Sequence, residues 1–152
     1  MTVKFENGKV GADEDIEALE SAVGSVISAD YKQFLRFNDG AEPELNIVAE
    51  NRDIGVNRFI PVKQILEEAI KLAPLSEGCF PIAWAEGGNY ILIDESQNGA
   101  IFFWDHESQE EPLKIALNFD SFLLQMKPFS IEVDRRRATR SWINPEFLRR
   151  QT

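Results

Sequence analysis

The chain has 152 residues, of which 43% are hydrophobic, 11% aromatic and 28% charged, a balance that excludes a disordered chain and gives one domain enough apolar surface for a core. Its 16 basic and 26 acidic side chains leave a net charge of −10, which repels nucleic acid and anionic membrane and attracts a basic partner. The longest uncharged runs, Ser21–Ala29 and Ser96–Trp104, are nine residues each, against the roughly 20 apolar residues that a membrane-spanning helix needs. The opening stretch MTVKFENGKVGADED has neither the apolar run nor the cleavage pattern of a secretory signal. Cys79 is the single cysteine, so no disulfide within the chain and no cysteine-based zinc cage is expected, and the expectation is a cytoplasmic protein.

The elements follow in chain order. Asp13 is placed to cap a helix whose apolar positions are Ile16, Leu19 and Val23, with Glu14, Asp15 and Glu17 suiting its positive end, and Gly24 breaks it. Ser28 is placed to cap a second helix with Tyr31, Phe34 and Leu35 on one face, closed by Asn38-Asp39-Gly40. Leu45–Ala49 predicts a short strand, and residues 50–61 predict an irregular connection. Val62, Ile65, Leu66, Ala69, Ile70 and Ala73 recur at i, i+3, i+4, i+7, i+8 and i+11, which predicts a helix with a Glu67–Lys71 pair on its surface, stopped by Pro74.

The period then changes. Phe80–Trp84, Asn89–Asp94 and Ala100–Trp104 are rich in β-branched and aromatic residues and separated by Gly87-Gly88 and Asn98-Gly99; Leu113–Leu117 predicts a fourth strand. Phe119, Phe122, Leu123 and Met126 predict a closing helix ended by Pro128. Helices first, then an antiparallel β-meander of four to six strands, then a closing helix define an α+β domain over residues 1–129. Residues 130–152 are expected to form a C-terminal basic arm with a short helix from about Pro145, packed on the domain or on a second subunit. The arm holds six arginines and three acids, which leaves 10 bases and 23 acids in the first 129 residues.

Little in this sequence has the pattern of catalysis. A Ser-His-Asp or Cys-His arrangement must pass through His106, the single histidine, which lies in the polar loop Asp105-His106-Glu107-Ser108 and reads as solvated. No metal-ligand spacing is present, and Cys79 reads as a small residue at a strand entry. Gly87-Gly88 leads into a strand, not a helix, so it is a turn and not a phosphate loop. Trp84, Tyr90, Phe102, Phe103 and Trp104 read as core and sheet-face packing, because the negative charge around them opposes base stacking. No catalytic residue, cofactor or metal is expected.

The stretch Ser28–Gly40, SADYKQFLRFNDG, with FPIAWAEGGNYILID, NGAIFFWDHE and NFDSFLLQM after it, resembles in order and spacing the SUKH superfamily, named in part for a yeast regulator of cell-wall assembly. The resemblance covers roughly residues 12–128. It departs from the pattern at Ile27-Ser28, where Leu-Pro is common, and at Glu86-Gly87-Gly88-Asn89, where Gly-Asp often ends the turn. The resemblance implies a non-enzymatic binding domain. In bacteria that is an immunity protein neutralising a toxin such as a nuclease, and in eukaryotes a regulatory or scaffold module.

In a meander, alternate connections fall at the same end of the sheet. The turn Ala85–Gly88 and the loop Asp105–Pro112 therefore share one rim, which gathers Glu86, Asp105, Glu107, Glu110 and Glu111 as the expected contact surface for a basic protein partner. The chain is expected to act as a monomer or homodimer, without nucleic acid or membrane.

Overall fold

A computed structural model describes residues 5–44, 46–48, 54–108 and 110–127. The chain opens on β1 (Phe5–Glu6), α1 (Asp13–Val23) and α2 (Ala29–Asn38). Ala12, not Asp13, is the N-cap of α1; Asp13, Glu14 and Asp15 fill its first turn, where carboxylates suit the positive end of the helix. Gly24 ends α1 in the left-handed region at φ 77°, where a side chain is strained. Ser28 precedes α2, but its side chain does not cap it. Its N–H and Oγ–H instead donate to the Glu95 carboxylate, at 2.9 and 3.0 Å, a tie across 67 residues.

Next come β2 (Glu42–Pro43), paired with β1, and β3 (Ile47–Val48), which is the described part of the strand expected at 45–49. The stretch expected to be irregular holds β4 (Val56–Phe59), the first strand of the main sheet. A register shift between Val56 and Arg58 breaks its alternation, and exposed Asn57 and Arg58 stand between buried Val56 and Phe59, which is why no two-residue period shows. The predicted helix from Val62 begins as a turn of 3₁₀ helix at Val62–Gln64 and continues as α3 (Ile65–Lys71). Val62 and Ile65 are buried, but Leu66 is 40% and Ile70 75% exposed, so half of the apolar stripe lies outside the core. Lys71 pairs with Glu68 at 2.9 Å, rather than with the expected Glu67.

The sheet is completed by β5 (Cys79–Ala85), β6 (Asn89–Asp94), β7 (Ala100–Trp104) and β8 (Leu113–Ala116), in the order β4-β5-β6-β7-β8 with every pair antiparallel. The closing helix α4 (Phe119–Leu124) starts from a capping box: the Asn118 carboxamide oxygen accepts the Ser121 N–H at 2.8 Å, and the Asn118 N–H donates to Ser121 Oγ at 3.2 Å. Met126 lies past the helix, in β9 (Met126–Lys127), which pairs with β3. This is the α+β class, with helices before and after a five-stranded meander. The expected boundary at 129 and the basic arm lie outside the described residues.

Because side chains alternate along a strand, the two sheet faces differ. Ile91, Ile93 and Ile101 join the core, with Phe103 packed against it, whereas Tyr90, Leu92, Phe102 and Trp104 take the opposite parity. The core is mainly aromatic: Phe34 of α2 lies 4.6 Å from Phe59 and 5.0 Å from Phe119, and Tyr31 lies 5.2 Å from Phe119, measured between ring centroids. Each such pair adds about 0.5–1.5 kcal/mol beyond its buried area.

Candidate functional site

At one end of the meander, the β5–β6 turn (Glu86–Gly88) and the loop between β7 and β8 are joined side by side. Gly88 sits at φ 84° with the His106 ring against it; a Cβ there would stand 3.3 Å from the ring. Asn89 Oδ1 accepts the His106 backbone N–H at 3.0 Å and lies 2.7 Å from His106 Nδ1. The loop braces itself. Asp105 Oδ1 accepts the Glu107 N–H at 2.9 Å, and Ser108 Oγ accepts the Glu110 N–H at 3.0 Å.

Beneath the rim, Tyr90 and Trp104 meet edge to face at 5.8 Å. Tyr90 Oη donates to Glu68 Oε1 at 2.6 Å and Trp84 Nε1 donates to the same oxygen at 3.0 Å, while Lys71 Nζ holds the other oxygen at 2.9 Å. Burial works against ionisation of Glu68, but the bonds from Tyr90, Lys71 and Trp84 outweigh it and hold the carboxyl below its usual range. Burial, then the bond to Glu68, push the Tyr90 phenol up to about 12. This cluster fixes α3 to the rim end of the sheet. Sequence reading missed it, and the spacing of Glu68 and Lys71 on one helical turn was its one local signal.

The five predicted rim acids have different surroundings. Glu86 turns toward β4: its N–H donates to Gly55 O at 2.9 Å, and its carboxylate lies where a Cβ on Gly55 would stand 2.6 Å away. Asp105, Glu107 and Glu110 stay in the loop beside His106, with Glu107 Oε2 3.7 Å from His106 Nε2. Glu111 lines a cavity of about 320 Å³ with Leu92, Phe102 and Trp104. Glu107, Glu110 and Glu111 accept no hydrogen bond among the described residues, whereas Glu20, Asp39, Glu68, Asp94 and Glu95 all accept internal ones.

His106 has Asn89 and Glu107 beside it, and burial pushes the Cys79 thiol up to about 11, which keeps it protonated near neutral pH. Among the described residues no three His, Cys, Asp or Glu side chains are grouped to hold a metal ion, and no helix is long and apolar enough to cross a membrane.

A five-stranded antiparallel meander with helices before and after it defines an α+β domain. The match is direct: the model of the SMI1/KNR4 family (SUKH-1) covers residues 11–125, and the chain belongs to that family. A similar curated protein is the SPbeta prophage-derived uncharacterized protein YokK of Bacillus subtilis (strain 168), 26% identical over 155 positions that cover 83% of this chain and 80% of that one. The family is generally non-catalytic, and its bacterial members are commonly of the immunity type.

Proposed function

We propose that the chain is a non-enzymatic, protein-binding immunity domain that captures a basic toxin domain, such as a nuclease, through its acidic rim. The observation that carries this reading is the contrast between engaged and unengaged acids. Glu20, Asp39, Glu68, Asp94 and Glu95 are tied into the fold, while Glu107, Glu110 and Glu111 are exposed on a loop braced by Asp105 and Ser108 and accept nothing among the described residues, a state they share with acids of α1 and α3 such as Glu14, Glu17 and Glu67. Rigid support lowers the ordering cost of binding, and unengaged carboxylates complement a basic substrate groove. The prophage origin in the relative's printed name suits an element passed between competing cells.

The test uses the partner recovered from the native cell and the association rate of the purified pair. The wild-type rate falls as salt rises, because the Debye length shrinks to about 3 Å at 1 M. A Glu107→Lys, Glu110→Lys, Glu111→Lys variant associates more slowly at low salt and loses most of the salt dependence. An unchanged rate with the fold intact moves the binding face elsewhere.

A further inference from the structure

Helical periodicity gives α3 an apolar stripe that the fold covers only in part. Ile65 is fully buried, yet Ile70 is 75% and Leu66 40% exposed. These two side chains are not isolated. With Ala22 and Val23 of α1, Ala73 and Leu75 they line a groove of about 710 Å³ between the helices and the approach to β5. An apolar groove of this kind favours an apolar occupant.

The surroundings set the charge of that occupant. Glu77 is the charged residue on the lip of the groove; α1 adds Glu14, Asp15 and Glu17, and α3 adds Glu67, while Asp13, Glu20 and Glu68 are already paired with Arg36, Lys32 and Lys71. Lys71 is the one base in these two helices, and it is paired with Glu68. The fitting ligand therefore has large apolar side chains flanked by cations.

The chain itself supplies one. Its end reads Arg140-Ser-Trp142-Ile143-Asn-Pro-Glu-Phe147-Leu148-Arg149-Arg150, which is four large apolar residues between arginines. This stretch lies outside the described residues and beyond the family match, which stops at 125. Reach is sufficient. The 15 residues from Lys127 to Trp142 span up to roughly 50 Å when extended, against a radius of gyration of about 14 Å for a domain of this size. We propose that residues 142–148 dock in cis into the groove between α1 and α3, seating Trp142 and Phe147 on Leu66 and Ile70. Arginines at both ends then face the acids of the two helices. Attachment to the same chain raises the local concentration of this segment, so a modest contact suffices.

The experiment uses the full chain with methyl-labelled isoleucine and leucine. Cross-relaxation from the Trp142 indole to the Ile70 and Leu66 methyls is expected. In a Trp142→Ser, Phe147→Ser variant those methyl signals shift while those of Ile93 and Ile101 in the sheet stay in place, which shows that the fold is intact. Ile70→Glu releases the arm and speeds tryptic cleavage after Arg149 several-fold. Absence of both the cross-relaxation and the shifts overturns the proposal. So does cross-relaxation found between differently labelled chains in a mixed sample, since the groove then receives a second copy.

Discussion

Two side chains show how a single group can act against the fold that contains it. Tyr31 is fully buried among aromatic rings, and its hydroxyl has no hydrogen-bond partner among the described residues. Burial pushes its phenol well up, so it remains protonated and neutral. A buried, unpaired hydroxyl carries a desolvation cost of about 1–3 kcal/mol. Tyr31→Phe therefore leaves urea stability unchanged or raises it by roughly 1 kcal/mol, and a clear loss would reveal a partner for the hydroxyl. Glu95 tethers Ser28 at the start of α2. Burial, reinforced by Asp30 and Asp94, raises its carboxyl pKa despite the bonds from Ser28. A carboxyl raised above its unfolded value, near 4.3, contributes most below that value, and its contribution is lost as pH rises through the folded pKa. Glu95→Gln removes the charge and keeps an oxygen for the Ser28 N–H. The variant gains on the parent as pH rises from about 4 to 7 in parallel denaturation curves, and an advantage that grows toward acid contradicts the sign.

The elements differ in how legible they were, and the reason lies in what each one packs against. The meander strands read correctly because their β-branched and aromatic runs coincide with their turns: Ile91 and Ile93 fall opposite Phe103 and Ile101 in register. β4 was illegible because a bulge puts Asn57 and Arg58 between its two buried residues, so its pairing with β5 is long-range information. α3 misled in the other direction, since periodicity reports an apolar stripe without saying what covers it. At the rim, topology placed the two connections at one end but not the direction of Glu86, which follows the absence of a side chain on Gly55. What holds α3 to the sheet is polar. Glu68→Ala deprives Tyr90 Oη, Trp84 Nε1 and Lys71 Nζ of their acceptor together. The expected loss is about 1–3 kcal/mol in chemical denaturation, with hydrogen-exchange protection falling first in α3. A loss spread evenly over the sheet would place Glu68 outside the attachment of α3.

Across the whole molecule, charge acts in two opposed ways. Residues 1–129, with 23 acids and 10 bases, carry a net −13, which the +3 of residues 130–152 reduces to −10 for the whole chain, whose sequence pI is near 4.6. Like charges at this density repel one another, and the folded state holds them closer than the unfolded chain does. Among the described residues the lysine and arginine ion pairs are Lys32–Glu20, Arg36–Asp13 and Lys71–Glu68, and an exposed one such as Asp13 and Arg36, with side chains 71% and 44% exposed, contributes about 0–1 kcal/mol. Self-repulsion therefore outweighs them, and screening it stabilises the fold. Raising ionic strength from about 0.01 to 0.15 M shortens the Debye length from about 30 to 8 Å and raises the thermal midpoint at pH 7. The same salt slows capture of a basic partner at the rim, because there the interaction being screened is attractive. Stability and association rate thus move in opposite directions with salt, a pairing read by calorimetry and stopped-flow on one sample series. A thermal midpoint that falls with salt would mean that attraction between opposite charges, arginines on acidic helices among them, dominates the electrostatics of the folded chain.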